Sequence, residues 1–128
     1  MNVVDSSAWL EYFADGPNAG RFAPAIQATT QLLVPTIVLL EVTRRVHQQR
    51  GEDAALQVAA LLHQGQLVPL DSALALAAAH LGVTERLPLA DSIILATTYQ
   101  HDATLWTMDA DFEGRRGVKY IAKHKEVG

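Results

Sequence analysis

The sequence predicts an α/β domain built on a parallel sheet of five strands, with helices covering both faces. Three observations lead there. Five short apolar runs are separated mostly by segments of helical periodicity, and a repeated strand and helix order favours a parallel, helix-covered sheet over an all-α or all-β domain. The 128 residues make one domain, 1–128, long enough to bury about two thirds of the surface the unfolded chain would expose. No internal repeat and no low-complexity linker divides the chain.

Asn2-Val3-Val4 is the first strand, and Asp5-Ser6-Ser7 offers three good N-cap residues for a helix through Ala8-Trp9-Leu10-Glu11-Tyr12-Phe13. Asp15-Gly16-Pro17-Asn18 is turn chemistry, after which a second helix is predicted over Ala19 to Thr29. Leu32-Leu33-Val34-Pro35 reads as the second strand. Thr36 is expected to cap a long helix that carries Glu41 early on and ends before Gly51, a residue suited to the position just past a helix. Another helix, from Glu52 to Gln64, carries Leu56, Val58, Leu61 and Leu62 and stops at Gly65. Gln66-Leu67-Val68-Pro69 supplies the third strand, and Asp71 caps an alanine-rich helix that runs to Gly82. Pro88 suits the first helical position, where its missing N–H is no loss; Leu89, Ile93, Ile94 and Thr97 then recur at helical spacing on a face expected to be buried. A turn at His101 and Asp102 leads into the extended run Ala103-Thr104-Leu105-Trp106, which ends at Thr107. Val118-Lys119-Tyr120-Ile121 is the last, edge strand before a basic tail.

Composition removes several function classes. A net charge of −4 argues against a general nucleic-acid coating role, while leaving room for a local basic strip. With no cysteine there is no disulfide, thiolate nucleophile or Cys-ligated zinc, and the chain is compatible with a reducing compartment. The start, Met-Asn-Val-Val-Asp, has no charged leader, and the longest apolar run is broken by Pro35 and Thr36, so a soluble, cytoplasmic protein with no membrane association is expected. His47, His63, His80, His101 and His124 show no metal-binding spacing, and Gly114-Arg115-Arg116-Gly117 reads as a basic turn rather than a phosphate cradle.

The acids are the informative set. Asp5 follows the first strand, Asp109 and Asp111 follow the fourth, and Glu41 and Asp91 lie early in helices. In a parallel sheet, helices run antiparallel to strands, so strand exits and helix starts share one edge, where α/β proteins bind ligands. Two bare carboxylates about 4 Å apart repel by on the order of 4 kcal/mol at an effective dielectric near 20. A convergent cluster therefore needs protons or cations, and hard divalent ions, Mg²⁺ or Mn²⁺, suit a site of oxygen ligands. Taken singly, each acid has an ordinary alternative. Asp5 could be an N-cap, Glu41 could pair with Arg45 four residues on, Asp91 could complement the helix dipole, and Asp109 and Asp111 could form a turn with Phe112 as a core plug.

At these residues the chain resembles the PIN-domain ribonucleases, specifically the VapC-type toxins of type II toxin–antitoxin pairs. The resemblance runs over essentially the whole chain. Val-Val-Asp-Ser-Ser is similar to the family's opening acid motif, Leu-Leu-Glu-Val to its helical glutamate, Leu-Ala-Asp-Ser-Ile-Ile-Leu-Ala to the helix of its third acid, and Thr-Met-Asp-Ala-Asp-Phe to its closing motif. It implies Mg²⁺-dependent endoribonuclease activity, Mn²⁺ being the alternative ion, on structured RNA such as tRNA, by water attack that leaves a 5′-phosphate. By the same resemblance Asp5, Glu41, Asp91 and Asp109 hold the metal, with Asp111 a further ligand because family members differ in which closing acid they keep. Ser7 and Thr107 match hydroxyl positions that orient the carboxylates by hydrogen bonds. An antitoxin protein and a homodimer, which the alanine-rich helices permit, are the implied partners. The Trp9, Tyr12 and Phe13 cluster is either core or part of a groove on the first helices for the antitoxin's C-terminal segment.

A basic set remains. Arg115, Arg116 and Lys119, with Lys123 and Lys125, are candidate RNA phosphate contacts, as are Arg44, Arg45 and Arg50; ordinary solvated charge is the alternative. Two other readings stay open: a PIN-type RNA-processing nuclease without an antitoxin, and a non-enzymatic, Mg²⁺-binding, receiver-like signalling module. The last wants an adjacent acid pair after the first strand, where this chain has Asp5-Ser6, and a lysine at the exit of the final strand, whereas Lys119 lies within one.

Overall fold

The structure, a computed structural model, describes residues 1–124, so Lys125 lies outside the described residues. Its elements in order are β1 (Asn2–Val4), α1 (Ser6–Phe13), α2 (Ala19–Gln27), β2 (Leu32–Pro35), α3 (Thr36–Arg50), α4 (Glu52–Leu62), β3 (Gln66–Val68), α5 (Ser72–Thr84), α6 (Leu89–Gln100), β4 (Thr104–Thr107) and β5 (Val118–Tyr120). All strands pair in parallel in the order β3-β2-β1-β4-β5, with Val3 beside Leu33, Val4 beside Trp106, and Thr107 beside Tyr120. The expected α/β class and five-stranded parallel sheet are therefore present. None of the described helices is long and apolar enough to cross a membrane.

The central strands are apolar on both faces because helices cover both. Val3, Val4, Leu33, Val34 and Leu105 are sealed from solvent, together with Trp9 and Phe22 beneath α1 and α2 and Ile94 and Leu95 of α6. Each such side chain contributes about 1.5–3 kcal/mol by leaving water. Gly51 ends α3 at φ 90°, a conformation that strains any residue with a Cβ.

Several local expectations shift. Thr36 is not a cap but the first residue of α3; Pro35, the last residue of β2, takes the cap position without a side-chain bond, because strand and helix join with no linker between them. Pro88 likewise sits at the cap position, extended at ψ 158°, and Leu89 opens α6. Leu89 is 82% exposed rather than buried. The buried surface of α6 runs from Ser92 to Thr98 instead, broader than one stripe, since α5, α3 and the sheet all pack on it.

The second helix stops at Gln27, and a 3₁₀ turn, Thr29–Gln31, leads to β2. Helix α4 ends at Leu62, with Val58 and Leu62 in the core and Leu56 and Leu61 outside it. Helix α5 continues past Gly82 to Thr84. Gly82 acts there by size: a Cβ would come within 3.1 Å of the Ser92 Cβ, so the glycine lets α5 and α6 approach. Strand β4 begins at Thr104 rather than Ala103, β3 ends at Val68, and β5 ends at Tyr120.

Candidate metal centre

Strand order reverses direction between β1 and β4, and at such a switch point the loops leaving two neighbouring strands separate and open a crevice. Asp5 leaves β1 there and Asp109 follows β4. Asp91 arrives from the first turn of α6, where the positive end of the helix dipole offsets part of its charge.

Asp5 is both N-cap and site residue. It is only 3% exposed. Its Oδ1 accepts from the Ser7 hydroxyl at 2.6 Å and the Ala8 N–H at 3.2 Å, and its Oδ2 accepts from the Thr107 hydroxyl at 2.7 Å. Burial pushes its carboxyl above the ordinary value and the Asp109 charge adds to that, while the Ser7, Thr107 and Ala8 bonds oppose it. The two hydroxyls also accept: Thr107 Oγ1 takes the Asp109 N–H at 2.9 Å, and Ser7 Oγ takes the Met108 N–H at 3.2 Å. The turn after β4 is thus hung on the carboxylate that ends β1. Ser7 and Thr107, expected to orient carboxylates, both bond Asp5.

Asp91, Asp109 and Asp111 come together, each offering a carboxylate oxygen within 4.8 Å of the others. Asp109 caps the 3₁₀ turn Ala110–Phe112 by accepting the Asp111 N–H at 2.9 Å, and Phe112, fully buried, anchors that turn in the core. The local alternatives foreseen for these residues are thus realised alongside the convergence. Desolvation of Asp91, followed by the charges of Asp109, Asp5 and Asp111, raises its carboxyl to about 7. Asp111, expected as a further member, belongs to the three-carboxylate group, but it is exposed where Asp109 is half-buried.

Glu41 stands apart from that group. Its Oε1 accepts from the Ser6 hydroxyl at 2.7 Å, which ties α3 to the residue following Asp5. No Glu41–Arg45 ion pair forms; among the described residues the one ion pair joins Arg115 and Glu85 at 3.1 Å. Ser6 is the site residue whose role the sequence did not disclose, since in Asp5-Ser6-Ser7 it reads only as another cap candidate. The three basic candidates are engaged within the chain. Arg115 bonds Glu85, the Arg116 guanidinium lies 4.2 Å from the Tyr99 ring centroid, and the Lys119 ammonium lies 4.5 Å from that of Trp106.

The donor set fits a hard cation. Three carboxylates crowd together with a fourth behind them, and no described lysine or arginine forms an ion pair with any of them. Burial first, and then the charges of the neighbouring acids, hold the Asp91 carboxyl above its ordinary value. Asp91, Asp109 and Asp111 could hold such an ion.

A parallel sheet with carboxylates gathered past its central strands defines an acid-edged α/β domain. Residues 3–117 match the PIN domain, and the chain belongs to that family. Among solved structures the chain is similar to one from a toxin–antitoxin complex of Klebsiella pneumoniae, at 24% identity and a TM-score of 0.79 over 93% of this chain and 96% of that one. It is also similar to Mycobacterium tuberculosis VapC20, a Sarcin-Ricin loop cleaving toxin, at 18% identity and 0.72 over 88% and 92%. DNA-bound VapBC from Salmonella typhimurium matches at 13% identity and 0.73 over 95% and 97%. At these identities the likeness is one of fold. None of the curated proteins matches the chain.

Proposed function

We propose that this PIN domain is the toxin of a toxin–antitoxin pair, a metal-dependent endoribonuclease that hydrolyses phosphodiester bonds of structured RNA such as tRNA. The observation that carries the reading is the gathering of Asp91, Asp109 and Asp111 within 4.8 Å at the switch point of the sheet. Likeness of fold to VapC20 and to chains of toxin–antitoxin complexes supports the toxin assignment. Family membership replaces the receiver-like alternative.

In this reading Asp5, Glu41, Asp91, Asp109 and Asp111 hold Mg²⁺ or Mn²⁺. A bound divalent ion supplies Lewis-acid polarisation of the phosphodiester and a more acidic water. The chain's own contribution is orientation and charge. Ser7 and Thr107 fix both oxygens of Asp5, Ser6 fixes Glu41, and the Asp109 turn is locked by Thr107. Near neutral pH Asp91 retains a proton in part and releases it when positive charge arrives, so ion uptake is accompanied by proton release. Arg116 and Lys119 are the phosphate contacts in this reading, each held by an aromatic ring with its charge at the surface.

Two surfaces suit the proposed partners. Trp9 is a core residue at 1% exposure, but Phe13 stacks on it with centroids 5.6 Å apart and lines a groove with Leu10, Val46 and Val58, a seat for an amphipathic antitoxin segment. Helix α5 carries no charged residue from Ser72 to Thr84 apart from His80 and leaves Leu76 and Val83 71% and 80% exposed, which suits a second copy in a homodimer.

Purified protein with Mg²⁺ or Mn²⁺ is expected to cut RNA, and Asp5→Asn, Asp91→Asn or EDTA to stop it. Undiminished cutting in the variants or in EDTA overturns the assignment. Growth arrest on expression, relieved by a small protein encoded beside the gene, separates a toxin from an RNA-processing nuclease.

A further inference from the structure

Arg115 reads in the sequence as one cation of a basic turn, but its guanidinium lies folded back along the surface onto two neighbouring segments of the chain. Nε donates to the Asp111 carbonyl at 2.8 Å, Nη1 to Glu85 Oε2 at 3.1 Å, and Nη2 to the Glu85 carbonyl at 3.3 Å. These acceptors lie 30 and four residues before Arg115 in the chain, and they belong to the two segments that deliver the clustered carboxylates.

Glu85 opens the short connection between α5 and α6, and Asp91 follows in the first turn of α6. That connection includes Arg86 at φ 55°, a left-handed conformation unfavourable for a residue with a side chain. The Leu87 N–H closes that turn locally on the Gly82 carbonyl at 3.0 Å, as the C-terminal turn of α5, so what remains to be fixed from outside is where the connection sits against the Asp109–Asp111 turn. On the other side Asp111 is pinned twice, its N–H by the Asp109 carboxylate and its carbonyl by Arg115. Gly114, at φ 78°, turns the chain back so that Arg115 can reach both.

We propose that Arg115 is a positioning residue that straps the Asp109–Asp111 turn to the α5–α6 connection and thereby sets the spacing between Asp91 and the other two carboxylates. The planar fork suits this task, because it presents several donors in fixed relation to two acceptors on one residue and one on another. Lysine, a single point of charge, cannot reproduce it. The inference rests on the reading that these carboxylates hold a divalent ion, and its test separates the two.

Charge alone and geometry predict opposite results. Removing a cation near a divalent-ion site should tighten ion binding if only the field mattered; removing the strap should weaken it. Titrating Mn²⁺ into the full chain by calorimetry is expected to show Arg115→Met and Arg115→Lys both weakened by about 3–10-fold, at or below the roughly 10–100-fold typical of contacts made directly to metal ligands, because Arg115 acts one step further out. Glu85→Ala should weaken binding in the same direction, and the double variant Arg115→Met, Glu85→Ala no further than the worse single variant. Tighter or unchanged Mn²⁺ binding in Arg115→Met, or wild-type binding in Arg115→Lys, overturns the proposal. So does a variant whose only defect is a raised KM for RNA with a shallower salt dependence, the signature of a phosphate contact.

A second measurement needs no metal. Amide hydrogen exchange of Arg115→Met is expected to quicken together in residues 85–91 and 109–113, and exchange that changes only beside Arg115 also refutes the strap. If wild type binds no Mn²⁺, the metal reading fails while the exchange result still judges the strap.

Discussion

The charge of Asp91 should cost the metal-free protein stability, and the cost can be read from pH. Its carboxyl lies at about 7 in the fold against an ordinary 3.8. A difference of about three pH units, at about 1.4 kcal/mol each, sets a ceiling near 4 kcal/mol. Asp91 is half-buried, and solvent screening lowers the figure to on the order of 1–2 kcal/mol. The sign follows from where the proton is held. Below 3.8 the carboxyl is neutral folded or unfolded and costs nothing. Between 3.8 and 7 the unfolded chain gives up the proton and the folded one keeps it, so stability falls as pH rises; above 7 the full cost is present.

Asp91→Asn removes the charge with little change in shape. In EDTA the variant should match wild type near pH 4 and exceed it at pH 8 by roughly 3–8 °C in Tm, followed by circular dichroism. Added Mn²⁺ should raise the Tm of wild type and not of the variant, since ion binding stabilises the fold by about 2.7 kcal/mol at a hundred times Kd. A variant less stable than wild type at pH 8, or a difference that ignores pH, would show that the carboxylates do not crowd one another as described.

Other expectations follow from the same geometry. Asp5→Asn should abolish RNA cleavage while leaving the far-ultraviolet spectrum intact; near-wild-type turnover would remove Asp5 from the site. Thr107→Val keeps the shape of a fully buried side chain but strips Asp5 of a donor and the Asp109 N–H of its acceptor, for a loss of about 1–3 kcal/mol in urea unfolding and a lower kcat. Ser6→Ala should reduce cleavage through Glu41 with no more than about 1 kcal/mol of lost stability; an effect on stability alone would mean that Glu41 plays no part. Phe112→Ala empties a fully buried position beneath the Asp109–Asp111 turn and should cost about 3–5 kcal/mol, with weaker Mn²⁺ binding in whatever fraction folds.

Carboxylates that follow strand exits or open helices are individually commonplace, and each here does have its ordinary local job: Asp5 caps α1 and Asp109 caps a 3₁₀ turn. That they lie along one edge was legible because alternating strands and helices imply parallel pairing, which gathers exits and helix starts there; which of them touch was not. The Pro88 and Leu89 positions were not legible in the same way. A proline fits both the cap and the first helical position, and whether Leu89 is covered depends on how far α5 extends beside it. Gly82 misled for a related reason, since a glycine that marks a helix end and one that admits a neighbouring helix look alike in one dimension.

By itself the sequence determined the class of fold, the order of its elements and the identity of the acids, because apolar periodicity and turn chemistry act between near neighbours. Tertiary structure decided which acids meet. It drew Asp91, Asp109 and Asp111 into one group, set Glu41 at its side through Ser6, and turned Arg115 from a solvated charge into a tie between two loops. Those outcomes join segments about 18 to 35 residues apart in the chain, and only the packing of helices against the sheet sets their distances.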